Sequence, residues 1–374
     1  MTTRVGDQQA RPGPSFDLVE SKLRAPPARP GIVPRRALVE RLLASSTAPL
    51  ICVVAPPGYG KTTLLAQWAS RRSAVAWVSL DRRDNDPVVL LSYLAAALDR
   101  VEPIDPGVFQ ALASPGASVA ATMVPRLVSA VAAMTQPVAL ALDHLELLEN
   151  QECLDAVAEL ALRLPAGSQL ALASRRSPAL PVALLRAQGR MVEIGAAELA
   201  MDRREARALL DAAGTGLSEP EVTELVARTE GWPVGLYLAA LAHKAGGPQR
   251  PARFTFTGDD RFVADYLDAE LLAQIPAEQV VFLTRTAVLE RMSGPLCDAV
   301  LATTGSGRVL ESLEDSNLLL VPLDRRREWF RYHHLFHELL LAELERREPE
   351  QLGRLHVRAA TWWEAGGRPE VAIE

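Results

Sequence analysis

Basic residues are in deficit. The 374-residue chain carries 40 Lys and Arg against 46 Asp and Glu, a formal net charge of −6. A chain-wide affinity for nucleic acid or an anionic membrane surface is not indicated. Cysteine is scarce as well. Cys52, Cys153 and Cys297 lie far apart, match no metal-ligand spacing and, being odd in number, make no disulfide framework. Cys52 sits in an apolar run and reads as a buried structural thiol. A reducing, cytoplasmic setting is expected. Long apolar runs are missing too. No stretch reaches membrane-span length without a charge or a proline, and the first thirty residues lack the apolar centre of a signal peptide. What is present is an ordinary globular composition, 48% hydrophobic and 23% charged. That length suits two or three domains with a sizeable core.

Residues 1–30 read as a flexible tail ending in "RAPPARPG". After "LVERLLA", short runs rich in Val, Leu and Ala alternate with helical segments: "LICVV" (50–54), "AVAWVSL" (74–80), "VALALD" (138–143), "QLALAS" (169–174) and "MVEIG" (191–195). Apolar on both faces, they predict strands of a buried parallel sheet with helical crossovers, an α/β fold. From about 201 the strand signals stop. "MDRREARALLDAAG" predicts a helix capped by Asp202 and stopped by Gly214. "SEPEVTELVARTEGW" predicts one capped by Ser218, with Pro220 in its first turn. A third runs through "PVGLYLAALAHKAG", and 246–260 is a linker by composition. Further helices precede "LLLVPLDRRREWFRYHHLF", a strand, charged turn and strand, which together suggest a winged helix. The last stretch reads as the beginning of a helical pair, with Trp362 and Trp363 as core residues facing a missing neighbour.

The chemistry concentrates in "VVAPPGYGKTTLLAQW" (53–68). A strand, a glycine-bearing loop and a helix follow one another, the context that confirms a phosphate-binding loop. Ala55 takes the position where Gly is usual. The change is tolerable, because Gly58 and Gly60 remain to turn backbone N–H groups toward phosphate oxygens, with Tyr59 between them. Lys61 reaches the β- and γ-phosphates, Thr62 ligates Mg²⁺, and Thr63 continues a helix whose positive end faces the anion. ATP or ADP with Mg²⁺ is the expected cofactor.

Asp143 ends a buried apolar run, where P-loop proteins place a carboxylate that holds Mg²⁺. Its neighbour is His144, a hydrogen-bonded surface residue by this reading. Glu146 is either the acid that orients the attacking water or a solvated acid at a helix start; the residues alone leave both open. "LALASRRSP" ends a further strand with Arg175 placed to sense a γ-phosphate, while Arg176 reads as a surface residue. In "DRRDND" (81–86) a helix cap at Asp86 and solvated charges account for the acids.

In this order the motifs resemble the signal-transduction ATPases with numerous domains, and within them the MalT-like large LuxR-type transcriptional regulators. The residues carrying the resemblance are "KLRAPPARPGIVPRRALVERL", "APPGYGKTTLLAQW", "WVSLDRRDNDPVVLLSYLAAAL", "LALDHLELL", "ASRRSPALPVALLRAQGRMVEIG", "TEGWPVGLYLAAL" and "WFRYHHLFHELLLAEL". The resemblance implies a P-loop nucleotide-binding domain (31–198), a helical lid (199–250), a winged-helix domain (251–346) and the start of a helical arm or repeat (347–374). It also implies that Arg35 or Arg36 contacts the nucleotide, that Pro233 of "GWP" packs on the adenine, and that His333 touches the β-phosphate of ADP; His334 and His337 carry no such role. The implied activity is that of a slowly hydrolysing switch. ADP locks a resting form, and ATP with an inducer drives self-association. Asp143-His144 stands where relatives often carry two acids, which argues against fast hydrolysis. The family's C-terminal helix-turn-helix is not among these residues, so DNA and inducer contacts are implied for a longer protein. The rival readings are a stand-alone winged-helix DNA-binding protein, with "DRRRE" (324–328) as a basic tip, and a P-loop NTPase without a regulatory role.

Overall fold

The computed structural model describes residues 16–27, 29, 31–180, 182–245 and 256–367. Residues 1–15, 28 and 30 of the expected tail and residues 246–255 of the expected linker 246–260 lie outside these residues. The chain divides into two compact units, one of residues 1–29, 34–54 and 61–195, the other of 30–33, 55–60 and 196–374.

The first unit is a five-stranded sheet with helices: α1 (Arg36–Ala44), β1 (Leu50–Val54), α2 (Lys61–Ala69), β2 (Val75–Ser79), α3 (Pro87–Val101), α4 (Gly107–Leu112), α5 (Val124–Ala132), β3 (Ala139–Asp143), α6 (Gln151–Arg163), β4 (Gln169–Ser174), α7 (Val182–Ala187) and β5 (Met191–Ile194). All strand pairs are parallel, in the order β2-β3-β4-β1-β5. The runs read as strands fall where expected, with one difference. β5 is an edge strand and Glu193 faces outward, tied to Arg186. An edge needs only one covered face, so it tolerates that charge. α3 shows how the helices are specified. Asp86 caps it through the N–H groups of Val88 and Val89, Pro87 fits its first turn, and Leu90, Leu91, Leu94 and Leu98 form the stripe buried on the sheet. The Cys52 and Cys153 thiols are buried here, and burial pushes each up to about 12.

Two sequence expectations change in this unit. Residues 16–24, assigned to a loose tail, lie on the sheet: the turn Glu20–Leu23 sits against β2, and Leu23 joins the core. Lys22 anchors it. Its ammonium bonds both oxygens of Asp84 at 2.7 and 2.6 Å, and lies 4.0 Å from the centre of the Tyr93 ring. Asp84, read as a solvated charge, is wholly buried.

The second unit is helical: α8 (Ala196–Leu199), α9 (Arg203–Ala212), α10 (Glu219–Thr229), α11 (Pro233–Ala245), α12 (Arg261–Glu270), α13 (Ala277–Thr286), α14 (Gly294–Leu301), α15 (Ser306–Asp315), a hairpin of β6 (Leu320–Pro322) and β7 (Phe330–Tyr332), α16 (His334–Arg347) and α17 (Pro349–Ala365). Asp202 with Glu205 and Ser218 with Glu221 form reciprocal capping boxes that start α9 and α10. The short α14 gave no sequence signal, since eight residues opening on Gly-Pro carry little periodicity. Trp363 has its neighbour after all: it stacks on Trp329 at the hairpin, centroids 5.7 Å apart. Among the described residues no helix is long and apolar enough to cross a membrane.

Candidate functional site

The expected residues divide between the two units. In the first, Lys61, Thr62 and Thr63 open α2, where the first N–H groups of a helix have no partner inside it. The Thr62 hydroxyl donates to Asp143 Oδ1 at 3.0 Å, across 81 residues of sequence. Topology makes this possible. β3 carries Asp143 at its carboxyl end, and β4 lies between β3 and β1. The tip of β4, Ser174 and Arg175, therefore sits between the ends of those two strands, with Val54 registered to Ser174. Ligands of open parallel sheets bind at this edge.

Four side chains are linked there: Arg175, Glu146, His144 and Asp143. Arg175 gives its backbone N–H to Glu146 Oε2 at 3.0 Å, and its guanidinium lies 3.3 Å from Oε1. His144, in a left-handed conformation with φ 62°, lies 3.5 Å from Asp143 and 3.6 Å from Glu146. Glu146 is thus drawn in by Arg175 and His144 and is not a freely solvated acid. Burial pushes its carboxyl up, but the hydrogen bonds from His144 and from backbone N–H groups outweigh this and hold it below the usual range. Asp143 goes the other way: burial raises it, against the opposing pull of His144 and Thr62. The His144 imidazole is raised by its bond to Glu146, against burial. Arg35 is buried and gives its N–H to Gln67 of α2, whereas Arg36 is exposed.

A hydroxyl and a carboxylate 3.0 Å apart suit Mg²⁺. That ion takes one or two protein oxygens and fills its remaining positions with water and phosphate. Such a site needs no cluster of acids, and among the described residues there is no group of three or more His, Cys, Asp or Glu placed to hold a metal.

In the second unit lies the loop 55–60. Gly58 and Gly60 have φ +78° and +79°, which side chains adopt only with strain. The Trp232 indole donates to the Pro57 carbonyl at 3.0 Å, and the Val234 N–H donates to the Gly58 carbonyl at 3.2 Å. A trans peptide points its C=O and N–H in opposite directions. With those two carbonyls turned to α11, the N–H groups of Gly58 and Tyr59 face the other way, as an anion cradle requires. A Cβ on Gly58 would meet Trp232 Nε1 and Val234 at 2.8 Å. Tyr59 is buried, and Pro233 is buried as the first residue of α11.

His333 is 1% exposed and precedes α16. Its Nε2 lies 2.9 Å from the Thr229 carbonyl, which only accepts, so Nε2 carries the proton. Among the described residues its Nδ1 has no hydrogen-bond partner. Burial holds the imidazole below its usual range and hence neutral. His337 meets the Ala287 carbonyl at 2.6 Å, and the side chain of His334 is exposed. Sequence reasoning passed over Trp232, which lay inside the quoted "GWP", and Glu230 and Arg331, 101 residues apart with no local signal.

A parallel sheet with a glycine-turned loop leading into a helix, and a bond from Thr62 at the head of α2 to Asp143 at the end of β3, is the architecture of P-loop NTPases. Accordingly the fold is similar to the Walker-type ATPase PABY2304 of Pyrococcus abyssi, with a TM-score of 0.57 over 86% of this chain and 99% of that one at 15% identity. Residues 268–352 match the family model of the MalT winged helix domain. The chain is 30% identical over 360 residues to the HTH-type transcriptional regulator MalT of Klebsiella pneumoniae (strain 342), covering 95% of this chain and 40% of that protein. To MalT of Serratia proteamaculans (strain 568) it is 32% identical, again over 95% and 40%. It is also 31% identical to the serine/threonine-protein kinase PknK of Mycobacterium tuberculosis (strain CDC 1551 / Oshkosh), over 92% of this chain and 31% of the kinase. The chain is MalT-like, and it spans about two fifths of the length of the MalT relatives it matches.

Proposed function

We propose that this chain is the nucleotide-switch module of a MalT-like transcriptional regulator. It binds ATP and ADP with Mg²⁺, hydrolyses ATP slowly, rests with ADP, and self-associates when ATP and an inducer are present. From residue 31 on, domain limits follow the division read from the sequence, and residues 16–24 belong with the nucleotide-binding domain and not with a tail. The observation that carries the reading is the Thr62–Asp143 contact at the head of α2, in a chain whose loop turns amides away from α11. Thr62 and Asp143 hold the metal, Lys61 and the loop amides bind phosphate, and Glu146 with Arg175 serves the γ-phosphate end. Mg²⁺, when bound, would supply charge neutralisation to the phosphates. Two relatives named for different outputs, a regulator and a kinase, share this same stretch. That favours a control element over a domain that itself binds DNA.

The reading is tested by denaturing the purified protein and identifying what is released. ADP is expected. A protein that releases no nucleotide and takes up neither ATP nor ADP overturns it. Glu146→Gln is expected to slow hydrolysis by about 10²–10⁴, the range for loss of a general base, with ATP affinity kept. Wild-type turnover in single-turnover assays would remove Glu146 from the chemistry.

His333 gives a pH dependence. Phosphate oxygens only accept, so Nδ1 must be protonated to bond one, and ADP binding takes up a proton. Retention is then strongest at low pH and weakens as pH rises through the imidazole pKa of the bound state. ADP affinity measured from pH 6 to 8 should fall more steeply for wild type than for His333→Ala. Parallel curves would sever His333 from the phosphate.

A further inference from the structure

The end of α10 and the start of α11 form one short connector, Arg228 to Val234, bonded on two sides. Toward the winged helix, Arg228 donates to Glu338 and to the Phe256 carbonyl, both at 2.6 Å. The other oxygen of Glu338 accepts the Gly258 N–H at 2.7 Å. Thr229 meets His333, as described. Glu230 takes both terminal nitrogens of Arg331 at 2.7 Å each, and the His334 N–H at 3.0 Å. Toward the phosphate loop, Trp232 and Val234 hold the Pro57 and Gly58 carbonyls.

The backbone of the connector is unusual. Glu230 ends α10 with φ +50°, a left-handed conformation for which helix ends favour glycine, and Gly231 follows with φ +71°. A Cβ on Gly231 would lie 2.5 Å from the Met201 carbonyl oxygen, so the turn is fixed against α9's leading segment. A glutamate in such a place marks a side chain held for its contacts.

We infer that the Glu230–Arg331 ion pair, seconded by Arg228–Glu338, is a latch by which the winged helix fixes the phosphate loop and so retains ADP. This rests on the nucleotide reading above. The pair is bidentate and partly buried, the strong geometry for guanidinium and carboxylate. Burial pushes the Glu230 carboxyl up, but Arg331 and the His334 N–H outweigh it and hold it at about 2, so both partners stay charged at neutral pH. Trp232 transmits the constraint. It is a positioning residue: it bonds the loop carbonyl and leaves the amides to the phosphates. With the latch open, the connector loses its hold on the winged helix, and the grip of Trp232 and Val234 on the loop carbonyls loosens.

The test uses the full chain and a fluorescent ADP chased with excess unlabelled ADP. Glu230→Arg and Arg331→Glu should each speed ADP release about tenfold or more, as expected for loss of a charge-assisted pair. The double swap should restore release to within about threefold. Glu230→Gly removes the carboxylate while relieving the left-handed strain, so it keeps the test open if the charge reversals do not fold. It should release ADP as fast as they do, with an unchanged or higher melting temperature. ADP release at the wild-type rate from Glu230→Gly overturns the latch. A folded double swap no slower than the single variants overturns the pairing. A wild-type chain that binds no fluorescent ADP overturns the nucleotide reading first, and the latch with it.

Discussion

On the proposed function, Lys61→Ala is expected to lower affinity for ATP and ADP by about 100-fold or more, with the protein still folded. Charge-assisted hydrogen bonds contribute roughly 1.5–3 kcal/mol each, and tenfold in affinity is about 1.4 kcal/mol, so two phosphate contacts account for that loss. The fold is spared for a local reason. Lys61 is the first residue of α2, where a positive charge opposes the helix dipole, so its removal adds up to about 1 kcal/mol. Titration calorimetry with each nucleotide checks the first point and a melting curve the second. Unaltered affinity in a folded variant would remove the proposed function at its base.

The second large effect is on stability. Asp84→Ala leaves the Lys22 ammonium, 7% exposed, without its principal partner. Removing one member of a buried ion pair costs about 3–5 kcal/mol, and since Lys22 would keep Asp81 3.4 Å away, the lower end is expected for Asp84→Ala. Lys22→Ala strands the wholly buried carboxylate and should cost a similar amount. The double change Lys22→Met with Asp84→Leu should recover most of the loss, since an apolar pair of similar volume has no desolvation penalty. Urea unfolding at neutral pH measures all three. Single variants within about 0.5 kcal/mol of wild type, the usual range for surface changes, would mean that the pair is solvated after all.

What was legible in the sequence followed from short-range physics. The strands were plain because each is a brief apolar run bounded by turn residues, and a sheet buried on both faces leaves no other pattern. The glycine-turned loop before α2 was plain because glycine, lysine and threonine stand at adjacent positions between an apolar run and a helix. Asp143 could be found from the run it ends, yet its bond to Thr62 is a matter of strand order. The rest was hidden for one reason. Lys22 and Asp84 are 62 residues apart, Glu230 and Arg331 101, and Trp232 and Pro57 175. Each is an ordinary residue locally, and only the fold gives it a partner. Asp84 is the sharpest case: three acids in "DRRDND" look alike, but Asp81 and Asp86 cap helical turns while Asp84 is buried.

The left-handed glutamate at position 230 also has a genetic side. Glutamate and glycine codons differ by a single base, and at this position glycine suits the backbone better than the residue it would replace. That change would relieve the left-handed strain while giving up the bonds to Arg331 and the His334 N–H, so on the latch reading its cost falls on control of the switch more than on folding.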